Sequence, residues 1–223
     1  MNETPADTSA ESASKIMGRA CIRLDEVLEL FPEAKAWVNP DDYRIVPFSP
    51  KILFHLSGHQ SQYVLLPAIP FRGKSGFVNV SDLERFVKAR FPAMRIDPRE
   101  LFRVASYALN NNICPQKWYL LSANVLKKEE VPRNVALGNA PAYRIERSLI
   151  YLYAWALFRR LRGRSLFKGR HFICSDIFSA KHQTNVVLLL KHLNATVYEM
   201  ARELNPKTGK VPSILPTNNS PLD

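Results

Sequence analysis

Cysteine is scarce. Cys21, Cys114 and Cys174 stand far apart and are odd in number, a poor basis for a disulfide framework and better suited to a reducing compartment. A secretory signal is not expected either. The opening MNETPADTSAESASK has neither the basic nor the apolar region of a secretory signal. Long apolar runs are absent too. The most apolar helical stretch, Leu149 to Leu161, is interrupted by Arg159 and Arg160 and falls short of the ~20 apolar residues that a membrane span needs. These absences lead us to expect a cytoplasmic protein without a membrane partner. No internal repeat and no heptad run is visible.

Acid is in short supply as well. The chain of 223 residues carries 31 Lys and Arg against 20 Asp and Glu, a formal net charge of +11. A balance like that surrounds the fold with a positive field, and the partners it favours are polyanions: DNA, RNA or an anionic membrane surface.

Composition divides the chain into four parts. Residues 1–17 are small, polar and acidic and read as a disordered arm. Residues 18–135 read as an α+β domain, and residues 142–204 as a basic, mainly helical domain. The loop from Val131 to Pro141, with Pro132 and Gly138, is the candidate boundary. Residues 205–223 hold Pro206, Pro212, Pro216 and Pro221 and read as a disordered tail. The expected fold class is α+β: a small antiparallel sheet with a helical cluster, then a mostly helical unit with a possible βαβ element.

Local patterns supply the elements. Leu24 to Val38 has helical spacing that Pro32 breaks near Phe31. Tyr43–Phe48, Lys51–Leu56 and Gln62–Leu66 read as short strands, with Phe77–Val80 a possible fourth. Ser81-Asp-Leu-Glu84 is a capping box opening a helix to about Phe91. Asp97-Pro98-Arg99-Glu100 starts another helix, and a third runs from about Pro115 through Trp118 and Leu121 to Lys127. The longest helix spans about Ala142 to Leu161 and ends at Gly163, a residue suited to the left-handed stop position. Beyond it, His171–Ser175 reads as a short apolar run, Ser179–His192 as a helix and Ala195–Met200 as a strand, hence the possible βαβ unit.

The strongest functional signal lies at the end of the long helix. Arg159, Arg160, Arg162, Arg164, Lys168 and Arg170 crowd together, interleaved with Phe158, Phe167 and Phe172. Guanidinium groups match phosphate with paired, charge-assisted hydrogen bonds, and rings can stack on unpaired bases. The same residues also have a purely structural use, because cations at a helix C-terminus offset its dipole. Arg72 and Lys74 sit in a basic turn that can touch a phosphate backbone. That turn is not a phosphate-binding loop, since Ala68 stands where the leading glycine belongs. Gln116 and Lys117 open the helix after Asn110–Asn112 in an arrangement that resembles a helix-turn-helix, where they would meet base edges.

Metal and catalytic patterns are thin. His55 and His59 are four apart, but Gly58 argues against a helix there, and His171 with Cys174 lacks a second pair. Asp176, with Lys181 and Glu199, gives a faint outline of a nuclease site. The expectation is therefore a non-catalytic nucleic-acid-binding protein without cofactor or metal. It would serve as a basic subunit of a larger nucleoprotein complex, such as a guide-RNA (CRISPR-type) effector or a replication or conjugation complex, with other protein subunits as partners. The alternatives are a helix-turn-helix regulator, an adaptor presenting the apolar face of Leu149 to Phe158 to another protein, and an enzyme acting on nucleic acid through Asp176, Glu199 and His171.

Overall fold

Short capped helices and short strands alternate in the first third of the chain. The computed structural model describes residues 8–59, 62–69, 80–97, 118–122, 148–167, 170–179 and 184–199. Strand β1 (Thr8–Ser9) leads into helix α1 (Ala10–Met17), where the Ser9 hydroxyl accepts the Ser12 amide at 3.2 Å. Ala13 and Met17, four residues apart, go into the core. The arm expected over residues 1–17 is thus ordered from Thr8 onward. A capping serine and two buried apolar side chains on one helical face outweigh its acidic composition.

Helix α2 (Leu24–Leu30) follows, and Pro32 replaces its continuation by a 3-10 turn over Pro32–Ala36, as the sequence predicts. The next segment departs from expectation. Tyr43–Phe48 contributes only the two residues of β2 (Ile45–Val46), antiparallel to β1. Lys51–Leu56 is not a strand but part of helix α3 (Pro50–Ser57). Ser49 caps it through the Ile52 amide at 3.4 Å, Pro50 takes the first turn, and Leu53 and Leu56 fill the core.

Strand β3 (Tyr63–Pro67) is buried along its whole length. It pairs antiparallel with β5 (Trp118–Ser122), so the helix expected from Pro115 to Lys127 is corrected to a strand over those five residues. Trp-Tyr-Leu-Leu is apolar at consecutive positions because both faces of the strand are covered, which erases the alternation that marks half-buried strands. On the other edge of β3, the Ile22 amide donates to the Leu65 carbonyl at 2.8 Å. Helix α4 (Val80–Arg90) begins one residue before the expected Ser81. The expected strand Phe77–Val80 otherwise lies outside the described residues, as do the helix after Pro98 and the tail 205–223.

Helix α5 (Ser148–Arg162) lies in the hydrophobic core. Every residue from Ser148 to Phe158 is buried, the pattern of a helix enclosed on all sides. Its polar atoms find partners in that interior. The Tyr153 hydroxyl donates to the Pro67 carbonyl at 3.0 Å and Trp155 Nε1 donates to the Lys191 carbonyl at 2.8 Å. Gly163 ends the helix with φ +68°, its amide returning to the Arg159 carbonyl at 3.1 Å.

The last described region overturns the mainly helical reading of residues 142–204. Strands β6 (Arg170–Ser179), β7 (Thr184–Leu190) and β8 (Asn194–Glu199) form an antiparallel meander. β8 pairs in parallel with β4 (Arg95–Asp97), giving the order β4-β8-β7-β6. The helix expected over Ser179–His192 is therefore strand β7, and no βαβ unit forms there. Thr-Asn-Val-Val-Leu-Leu-Leu is a short apolar run whose pattern fits strand or helix, and its β-branched residues favour the strand. The division near residues 135–142 is not seen among the described residues either. β4 comes from before it and β8 from after it, and one hydrophobic core takes in residues from both sides. The α+β class stands: helices and strands are mixed along the chain, and the described sheets are largely antiparallel.

Candidate nucleic-acid interface

The last turn of α5 meets the segment that joins α1 to α2. Arg162 makes the junction. Its Nη1 and Nη2 donate to the two Glu26 carboxylate oxygens at 2.6 and 3.0 Å, Nη2 also reaches the Cys21 carbonyl at 2.6 Å, and Nε donates to the Arg19 carbonyl at 2.9 Å. This is a two-pronged guanidinium–carboxylate pair, with Nε and the second Nη2 proton on main-chain oxygens. The side chains are only 13% and 20% exposed, so the pair lies mostly out of water. Burial pulls the Glu26 carboxyl upward, but the hydrogen bonds from Arg162 and from the Arg23 amide hold it below its ordinary value. Arg162, expected to face phosphate, is occupied by the protein's own groups. The reason is a carboxylate 136 residues away in sequence, which no local pattern announces.

Its neighbours behave differently. Arg159 is half-buried and donates through Nη1 to the Gly163 carbonyl, closing the helix end. Arg160 is exposed. Arg164 is exposed and its Cζ stands 5.7 Å from the centre of the Phe158 ring, within cation–π range. Phe158 itself is buried, so it anchors an arginine and is not a platform for a base. Arg170 opens β6 opposite Leu190. Lys168, Arg72, Lys74, Gln116 and Lys117 lie outside the described residues.

The junction adds cations that the sequence reading missed. Arg19 is exposed beside the carbonyl that Arg162 grips. Arg23 is exposed and paired through Nε and Nη2 with Asp25 at 3.0 and 2.9 Å. Residues 18–26 and 159–164 together hold Arg19, Arg23, Arg159, Arg160, Arg162 and Arg164 against Asp25 and Glu26 alone. The only local hint was Arg-x-x-x-Arg before α2, which is unremarkable until α5 is laid against it.

The rival sites fare less well. β5 occupies the place of the expected recognition helix, so Gln116 and Lys117 precede a strand. The apolar face of Leu149 to Phe158, expected to receive a protein partner, is covered by the protein's own core. His171 lies on β6 opposite Leu189, whereas Glu199 on β8 lies opposite Val186, and Asp176 falls in the register shift of β6. β7 thus separates the candidate acids. Burial, with Glu26 nearby, pushes the Cys21 thiol up to about 12, which keeps it protonated and unreactive. No helix among the described residues is long and apolar enough to cross a membrane. No protein-family model matches the chain, and no curated protein or solved structure matches it.

Proposed function

We propose that the protein is a non-catalytic nucleic-acid-binding subunit whose contact surface is built from the end of α5 and the segment joining α1 to α2. The observation that carries the reading is the excess of arginine where those two segments meet. Arg162 is the pin that holds them together. Arg160, Arg164 and Arg19, exposed around it, are the phosphate contacts. The +11 charge supplies the long-range attraction. A surface of this type touches the backbone and not the bases, so it favours a role inside a larger nucleoprotein complex over that of a sequence-reading regulator. Among the described residues, Ile45 and Phe54, 58% and 64% exposed, are the large apolar side chains on hand for contact with neighbouring subunits.

Fluorescence anisotropy with labelled single- and double-stranded DNA and RNA tests the proposal. Binding to at least one polymer at low salt, weakening steeply as salt rises, is the expected result. No binding to any of the four at low salt removes the proposal.

A further inference from the structure

His55 and His59 sit at the C-terminal end of α3. In an extended chain, four residues would span ~13 Å. The structure instead continues the helical path through them. His55 lies within α3, and Gly58 keeps right-handed helical angles (φ −63°, ψ −15°). The His59 amide donates to the Leu56 carbonyl at 2.9 Å. Residues four apart on a helix share a face, and here the two imidazole rings stand 6.3 Å apart, centre to centre, with their planes at 67°. Both side chains are exposed, and neither imidazole hydrogen-bonds to another described residue.

We propose that His55 and His59 form a two-imidazole chelate for a divalent transition metal, Cu2+ binding most tightly and Zn2+ and Ni2+ more weakly, with water in the remaining positions. Metal–nitrogen bonds of ~2.0–2.1 Å put the centres of two adjacent rings on one ion about 4.5 to 5 Å apart. The observed spacing needs only small side-chain rotations, which exposed rings are free to make. The C-terminal end of α3 contributes the negative pole of the helix dipole, which favours a cation. The surrounding charge is close to neutral. Lys51 shares this face of α3 one turn earlier, and Glu11 and Lys15 on α1, which packs against α3, pair with each other at 2.7 Å. Among the described residues no group of three or more His, Cys, Asp and Glu is placed to hold a metal. Two protein ligands make an exchangeable site, and the ranking of metals follows the usual order for imidazole donors.

The test is a calorimetric titration of the full, untagged chain with CuCl2, with electron paramagnetic resonance to count nitrogen ligands. One Cu2+ should bind per chain with two nitrogens in its plane. His55→Gln and His59→Gln should each weaken binding at least about tenfold, since losing a ligand costs no less than losing the groups that orient one, and each should leave one nitrogen. His192→Gln, at an exposed histidine elsewhere, should change neither reading. Because both target rings are exposed, the metal-free variants should melt like the parent. Wild-type affinity no greater than that of the His55→Gln/His59→Gln double variant overturns the proposal, and so does loss of binding in His192→Gln alone.

Discussion

Arg162 and Arg164 stand two residues apart at the end of α5, yet they live in different environments. Arg162 turns inward and spends its donors on Glu26 and on the carbonyls of Arg19 and Cys21. Arg164 turns outward and rests on the Phe158 ring with its guanidinium in water. A run of like charges in a sequence is thus not one feature. Part of it organises the fold, and what remains is available to a partner. The two kinds of arginine should separate cleanly under mutation, because one set acts on stability and the other on binding.

The largest effect is expected from Arg162→Ala. It strands Glu26 and two main-chain carbonyls in a mostly buried junction, a loss of roughly 2–4 kcal/mol. Denaturant unfolding midpoints measure it. Glu26→Ala should cost a similar amount, and the double variant should cost far less than the two added together. Additive losses would mean that the pair is not coupled.

Acid unfolding sharpens the same contrast. A carboxyl held below its ordinary 4.5 in the fold stabilises the protein above that value, and the contribution disappears as pH falls through the lower, folded-state value. The wild-type midpoint should therefore drop as pH is lowered from about 5, and Glu26→Gln should start lower and fall less steeply. Parallel curves would contradict the role given to Glu26.

Gly163→Ala comes next. At φ +68° with open space around it, the cost is backbone strain alone, about 1 kcal/mol. The smallest stability effect belongs to the outward side. Arg164→Ala removes only an exposed cation–π contact and should cost about 0.5 kcal/mol.

Several elements were legible because local chemistry decides them. Pro32 breaks α2, Gly163 ends α5, and Thr-Val-Tyr in β8 prefers extended backbone. Others were not, for identifiable reasons. The Ile, Leu and Phe of α3 suit a strand by composition, although Ser49-Pro50 is a helix start signal. β5 and β7 are short apolar runs, so their residues carry no period to choose strand over helix. The reading of α3 hid the histidine pair as well, since two rings share a face only if the turn at Gly58 is helical. At the candidate interface, the sequence marked the arginines at the end of α5 but not which of them faces inward. That depends on Glu26 arriving from the other end of the chain.

The most direct measurement is the slope of log affinity against log salt concentration for the wild type and for Arg160→Ala/Arg164→Ala, on whichever nucleic acid binds tightest. Each phosphate contact contributes roughly 0.7 to 0.9 to that slope. With folding stability nearly unchanged, the double variant should bind more weakly and with a slope shallower by about 1 to 2. An unchanged affinity and an unchanged slope would contradict the assignment of the outward arginines to a polyanion backbone.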